Sequence, residues 1–377
     1  MLLLALFLLS SVVAEDKLVF VQSVWRHGDR IPKETYPTDP YQQDFWGMPW
    51  GEITQNGINH LFEQGQNLRS LYVSTGFLNG SYNSDEITIQ SADADRCVMS
   101  GMAMMAGLYS DSPLSLSSVP SWPTGWYPVP IHTTPKKEDR EMEIYCPAAD
   151  AMQQTREQTP KFQDFLAANW NLFSLLHTKG GEDNVAITYQ TIKDWATTVR
   201  VEREDFNLTL PDWITDDVYN QLLQAYWDGH DFLDGIAGFG LPQDDKLIKL
   251  KGGFLLHDWR SNLDNAKQGK GTVKYHGYSG HDHTVTALLH TLGAKQAVMG
   301  VDIAQYAATV ICELWLKDGE YFVRFLYIDN CTSNARPITR LINVCPDDSD
   351  FCPFDQFYND SDAFSTKKDS VSDQIQT

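Results

Sequence analysis

The stretch Trp25-Arg26-His27-Gly28-Asp29-Arg30-Ile31-Pro32 gathers the groups best able to do chemistry in this chain. Two arginines stand on either side of one histidine. A guanidinium is a planar, permanently charged fork that matches the oxygens of a phosphate. A histidine between two such cations is pushed toward its neutral form, because a third positive charge is disfavoured. Neutral imidazole is a nucleophile. The pattern therefore points to phosphoryl transfer onto His27. The competing reading is a solvated surface loop, since short motifs recur by chance.

Two distant segments carry complementary groups. Ser91-Ala92-Asp93 opens a helical pattern with Arg96 in its first turn, and Ser279-Gly280-His281-Asp282-His283-Thr284 precedes another. All three segments share one design, in which an apolar strand leads into a polar turn. Residues 18–24, 86–90 and 272–278 read as the strands. If they are neighbours in one sheet, the turns converge at its C-terminal edge, where open α/β sheets bind ligands and helix N-termini favour anions. The converged site holds Arg26, Arg30 and Arg96 for phosphate oxygens, His27 as nucleophile and Asp282 as acid for the leaving group.

Each residue also has a plainer reading. Arg96 suits a surface ion pair with Asp93, and His281-Asp282-His283 suits a helix cap. His276, His281 and His283 with Asp282 suit a metal site, although no acidic cluster accompanies them.

The elements expected around the site make an α/β architecture. A short strand is expected at 129–132. Residues 310–315 and 321–327 flank Lys317-Asp318-Gly319-Glu320, and Asp-Gly between alternating strands signals a hairpin. Thr54 precedes a helix with Ile58, Leu61, Leu68 and Leu71 on one face. Met99, Met102 and Met105 read as core packing of the helix that carries Arg96. Helical patterns at 162–176, 187–201 and 213–226 read as an inserted cap. The expected partition is a signal peptide at 1–14, an α/β domain at 15–140 and 246–355, a helical cap at 141–245 and a polar tail at 356–377, disordered from Ser361 onward. The sheet is expected to be largely parallel, with helices on both faces.

Composition bounds the partners. The 377 residues carry a net charge of −21, which argues against nucleic acid as a partner and requires a local basic pocket for any anionic substrate. Residues 1–14 form an apolar run ending in Val12-Val13-Ala14, too short to span a bilayer comfortably and without a basic start. A secreted or lumenal protein without a stable membrane anchor is expected. Four sequons, at Asn79, Asn207, Asn330 and Asn359, fit that route, as do six cysteines. Cys345 and Cys352 are expected to pair. Cys97 and Cys312 lie in apolar segments and read as buried thiols, which leaves Cys146 with Cys331. Zinc is not expected, because no Cys-x-x-Cys pair is present.

The chain resembles the histidine acid phosphatases, the secreted and lysosomal branch of the histidine phosphatase superfamily. Their signature Arg-His-Gly-x-Arg-x-Pro stands complete from Arg26 to Pro32. Their His-Asp pair stands as His281-Asp282. Ser91 to Arg96 is similar to the segment that supplies a third arginine, and Gly319-Glu320-Tyr321-Phe322-Val323 is similar to a further family stretch. The resemblance spans about residues 17–345. It implies hydrolysis of phosphate monoesters at acid pH through a phosphohistidine on His27, without metal or other cofactor. It implies phosphate binding by Arg26, Arg30, Arg96 and His281, and protonation of the leaving alcohol by Asp282. Small phosphomonoesters are the expected substrates, with phosphopeptides as a second class. A phytase-like or inositol polyphosphate role is the alternative, although the site loop offers only Lys33 beyond its arginines. An inactive binding protein is a remoter one. Trp122-Pro123-Thr124-Gly125-Trp126 resembles the family's dimer-packing region and implies a homodimer. The chain departs from mammalian relatives in having no cysteine in the segment before Leu208-Thr209-Leu210-Pro211, which bears on one family disulfide and not on the chemistry.

Overall fold

The computed structural model describes residues 16–112, 117–123, 126–182 and 188–367. The expected signal peptide at 1–14 lies outside them. Strands are β1 (Lys17–Arg26), β2 (Ile87–Ser91), β3 (His132–Thr133), β4 (Tyr275–Gly280), β5 (Thr309–Lys317), β6 (Glu320–Ile328), β7 (Arg336–Pro337) and β8 (Cys352–Pro353). Helices are α1 (Gln43–Trp46), α2 (Gln55–Leu68), α3 (Asp95–Leu108), α4 (Pro147–Glu157), α5 (Pro160–Ala168) and α6 (Trp170–Gly180), followed by α7 (Tyr189–Arg200), α8 (Asp216–Leu233), α9 (Asp245–Lys267), α10 (Asp282–Thr291), α11 (Lys295–Met299) and α12 (Phe354–Asp360).

This is an α/β fold around one sheet of order β3-β2-β4-β1-β5-β6-β7, with β8 paired to β6. Its core of β3, β2, β4 and β1 is parallel, while β5, β6 and β7 continue it antiparallel. The β5–β6 pairing has a local cause. Asp318 (φ 50°) and Gly319 (φ 88°) both adopt left-handed conformations in a two-residue turn, which can join only antiparallel neighbours.

Alternation along β1 assigns the two faces. Phe20 and Val24 join Leu255, Trp259, Val285 and Leu288 of α9 and α10. Val21 and Trp25 join Leu61, Leu68 and Met104 of α2 and α3. The period of two puts successive side chains on opposite faces, so β1, covered by helices on both sides, is largely apolar, and its buried Gln22 and Ser23 hydrogen-bond to the Trp259 carbonyl and the Tyr275 hydroxyl.

Between β3 and β4, helices α5–α8 build a third apolar cluster around Phe162, Phe173, Trp195 and Leu222, while Ala149 of α4 packs with Leu250 and Phe254 of α9. Tyr36 of the loop after β1 stacks on Trp195 at 4.1 Å and ties that cluster to the sheet edge. The pattern at 162–176 is broken at Asn169, whose side-chain amide donates to the Phe165 carbonyl and ends α5. α7 runs on into one π-helical turn, Val201–Asp205, which turns Glu202 inward. Glu202 and Asp39 are both buried there, carboxyl beside carboxyl.

Three expectations need correction. Cys345 and Cys352 form a disulfide, but Cys146 and Cys331 are free. Cys146 packs beside Ala149, Leu250 and Phe254, while the Cys331 carbonyl accepts from Asn67 of α2. The two sit in different packing environments, and a disulfide requires Cα atoms within about 7 Å. The segment from 356 is not all tail. Phe354 and Phe357 are buried in the α9 face, and Arg260 of α9 pairs with Asp362 in a further helical turn. Finally, Met104 and Met105 are buried but Met99 and Met102 are exposed. The buried stripe of α3 runs through Cys97, Ser100, Gly101, Met104 and Leu108, the helical repeat, and a strict spacing of three drifts off it.

Candidate active site

Register brings the three polar turns together. Ser279 of β4 pairs with Trp25 of β1 on one side and with Ser91 of β2 on the other. The C-terminal ends of the three strands are therefore level, and the chain leaves them at Arg26-His27, Ala92 and His281. Arg96 lies in the first turn of α3, and His281 caps α10 with Asp282 as its first residue. Both helices point their N-termini, with unspent N–H groups, at the same place.

The motif turn is fixed by a close approach. A Cβ on Gly28 would lie 2.3 Å from the Gly57 carbonyl oxygen, and one on Gly57 would lie 2.3 Å from the Asp29 oxygen. The start of α2 packs backbone to backbone on the turn, so neither position accepts a side chain. Ser100 accepts from the Gly28 N–H at 3.0 Å and donates to the Arg96 carbonyl.

His27 is buried, and its Nδ1 lies 2.8 Å from the Gly28 carbonyl. A carbonyl can only accept, so Nδ1 carries the proton and Nε2 keeps its lone pair. Burial, then Arg26, Arg96, His281 and Arg30, hold the imidazole well below the usual histidine range, hence neutral in acid. Arg26 donates to the Ala304 carbonyl at 2.6 Å, stacks over Tyr306 at 3.9 Å and reaches Asp282 at 3.3 Å. Arg30 is buried and donates to its neighbour's carbonyl at Ile31. The Nε atoms of Arg26, Arg30 and Arg96 are buried without partners among the described residues. Three buried guanidinium donors left unspent around one imidazole need an anion with several oxygens.

Arg96 does not pair with Asp93 among the described residues. Its Nη2 faces His281 Nδ1 at 3.3 Å, and the other ring nitrogen, Nε2, is 3.0 Å from Glu143 Oε1. The His281 ring lies edge-on to His27 with centroids 5.6 Å apart. His276 does not join this cluster, because its ring stacks on Tyr278 and its Nδ1 meets Asn262. The structure thus brings Arg26, His27, Arg30, Arg96, His281 and Asp282 to one sheet edge.

Two functional neighbours were invisible in the sequence. Tyr306 precedes β5, whose first residue Thr309 pairs with Trp25. An antiparallel neighbour starts where β1 ends, so the loop before it enters the site. That signal was available only once the pairing was known. Glu143 had no signal at all. A cavity of about 410 Å³ opens from Arg26, Arg30 and Asp282, and its outer wall includes Asp29, Glu204 and Asp205. The basic groups of that wall are already engaged: Arg200 is held by Asp302 at 2.7 Å and Glu204 at 2.8 Å, and His60 meets Asp29 at 2.7 Å.

Comparison with known proteins agrees with this chemistry. Prostatic acid phosphatase of Bos taurus is 30% identical over 364 residues, covering 95% of this chain and 88% of its own. Lysosomal acid phosphatase of Homo sapiens is 32% identical over 343 residues, covering 90% and 76% respectively. Among solved structures, the Hafnia alvei phytase in complex with myo-inositol hexakis sulphate shares the fold, with a TM-score of 0.65, 17% identity and coverage of 94% of this chain and 100% of that one. The model of the histidine phosphatase superfamily (branch 2) matches residues 17–328. With the signature turn, the level strand ends and this match together, the chain belongs to branch 2 of the histidine phosphatase superfamily and is an acid phosphatase acting on phosphate monoesters.

Proposed function

We propose that hydrolysis proceeds in two steps through His27. Nε2 attacks phosphorus while Arg26, Arg30 and Arg96 hold the non-bridging oxygens, and Asp282 gives its proton to the departing alkoxide. Water then attacks the phosphohistidine, with Asp282 taking the proton back. The observation that carries this reading is the set of three unpartnered guanidinium Nε donors around an imidazole whose free lone pair is Nε2. In this reading His281 acts on the phosphate through Arg96 and not directly as the resemblance implies, because its Nδ1 faces Arg96 and its Nε2 faces Glu143.

The wall of the cavity supports phosphomonoesters with neutral leaving groups. Asp29, Glu204 and Asp205 face a departing group there, whereas Lys33 is the cation on the motif side. A second phosphate on the substrate would meet carboxylates in this wall, which favours simple monoesters and phosphopeptide side chains over inositol polyphosphates.

We further propose a secreted or lumenal protein. The apolar N-terminal run and the exposed sequons at Asn79, Asn207 and Asn359 support it. None of the described helices is long and apolar enough to cross a membrane. A homodimer through the segment from Trp122 to Trp126 is proposed on resemblance. Thr124 and Gly125 lie outside the described residues, and exposed Trp126, Met99 and Met102 offer apolar surface.

The test is rapid acid-free quenching with a radiolabelled monoester. Label should appear on the protein, stable in alkali and lost in acid, and His27→Ala should carry none. A folded His27→Ala protein with wild-type turnover would sink the covalent route.

A further inference from the structure

Glu143 lies between β3 and α4, far in sequence from every motif residue, yet its side chain is only 6% exposed and its Oε1 is 3.0 Å from His281 Nε2. We propose that Glu143 is a positioning residue of the phosphate clamp: its carboxylate holds His281 as the Nε2–H tautomer, so that Nδ1 accepts from Arg96 and sets the direction of that guanidinium. The proposal rests on the phosphatase reading of the site and names a residue that this reading does not require.

The two contacts of the ring agree on one proton position. A carboxylate can only accept, so Nε2 must carry the hydrogen. A guanidinium can only donate, so Nδ1 must present its lone pair to Arg96 Nη2 at 3.3 Å. Burial keeps His281 neutral down to about 3, and its hydrogen bond keeps Glu143 ionised down to about 2, against the opposing effect of burial. The other groups facing this pair do not replace it. Cys97 Sγ lies 3.6 Å from Nδ1, and the His283 ring stacks on His281 at 4.8 Å. Lys136 reaches Glu143 Oε2 at 3.6 Å from an exposed position.

The backbone around Glu143 points the same way. Ile144 adopts φ +55°, a left-handed conformation that a β-branched residue avoids. Such strain costs on the order of 1–3 kcal/mol and persists only where flanking structure imposes it. Here the flanks are pinned. Asp139 Oδ1 accepts from the Glu141 and Met142 N–H groups, and the Tyr145 N–H donates to the Asp139 carbonyl. The Thr284 hydroxyl donates to the Met142 carbonyl at 2.7 Å and accepts from the His281 N–H at 3.0 Å. One hydroxyl thus ties the turn that carries Glu143 to the strand end that carries His281, and the strained residue sits directly after the carboxylate being aimed.

A double-mutant cycle tests the coupling. Glu143→Ala should weaken vanadate inhibition and lower kcat/KM by about tenfold, whereas in an Arg96→Ala background it should cost almost nothing more. Glu143→Gln should stay near wild type, because its amide oxygen still accepts from Nε2–H. A merely structural role would lower the melting temperature, add to the Arg96 effect and not be rescued by glutamine, and additivity would overturn the proposal. If Glu143→Ala does not fold, the wild-type protein decides. A long-range proton–nitrogen spectrum of histidine-labelled enzyme should show His281 as the Nε2–H tautomer, and the Nδ1–H tautomer would overturn the proposal. Failure of the phosphatase reading is separate, since it would show as a wild type inactive on every monoester.

Discussion

Arg26 Nη2 and Asp282 Oδ2 stand 3.3 Å apart, so in the proposed mechanism the cation that meets the phosphate and the acid that serves the leaving group share one ion pair. Burial alone would raise the Asp282 carboxyl, but Arg26 and His283 outweigh it and hold the group well below the usual range. A phosphate dianion beside Arg26 competes for the same guanidinium and adds negative charge near Asp282. Both effects raise the affinity of Asp282 for a proton. The substrate thus prepares its own acid, and the pair links phosphate binding to proton supply.

Asp282→Asn should therefore slow phosphoenzyme formation unequally. An alkyl phosphate, whose alkoxide leaves poorly, should lose far more than p-nitrophenyl phosphate, whose phenolate leaves unaided. Single-turnover measurements with both substrates across pH check this. An equal loss would mean that Asp282 only positions the site.

Arg96→Ala should cost on the order of 2–4 kcal/mol of transition-state stabilisation, the scale of a lost electrostatic donor. Vanadate affinity should fall in parallel. Unchanged rate and vanadate binding would remove Arg96 from the clamp.

Asp205 is raised to about 6 by desolvation in the cleft, against the opposing pull of Arg26. It should gain its charge between pH 5 and pH 7. Discrimination against a bisphosphate relative to a monophosphate of the same alcohol should grow over that interval and flatten in Asp205→Asn. Ratios of kcat/KM measured at the two pH values check the change.

Glu202 is pushed up to about 10 by burial and by Asp39, so it is protonated in the folded state at neutral pH. An unfolded glutamate has released that proton above its ordinary value of 4.5. The sign follows: the contribution of Glu202 to stability is fully present below 4.5 and is lost as pH rises toward 10. Between pH 5 and pH 7 the loss is on the order of 2–3 kcal/mol. Glu202→Gln should remove that component of the pH dependence, as read from denaturant unfolding at the two pH values, and an unchanged slope would refute the assignment.

The residues that meet at the sheet edge were easier to read from the sequence than the groups that support them. Arg26, His27, Arg30, Arg96, His281 and Asp282 were legible because each ends a strand, opens a helix or lies in the motif turn that follows β1, and local patterns mark such positions. The β5–β6 hairpin was legible from Asp318-Gly319 for the same reason. Tyr306 and Glu143 reach the site through pairing and packing between segments far apart in the chain, which no local period encodes. The Cys146–Cys331 pairing failed on the same ground, because elimination among cysteines carries no distance.

The π-helical turn at Val201–Asp205 makes substrate choice separable from catalysis. Its one extra residue per turn offsets everything that follows by about 100° relative to an uninterrupted α-helix. Glu204 and Asp205 owe their place in the cavity wall to that offset, while the strand ends that carry His27 and Asp282 owe nothing to it. A single-residue deletion in this turn is thus a route by which one enzyme lineage can change what it accepts while keeping how it cuts. Such a variant should alter the ratio of rates between charged and neutral esters while p-nitrophenyl phosphate still labels His27.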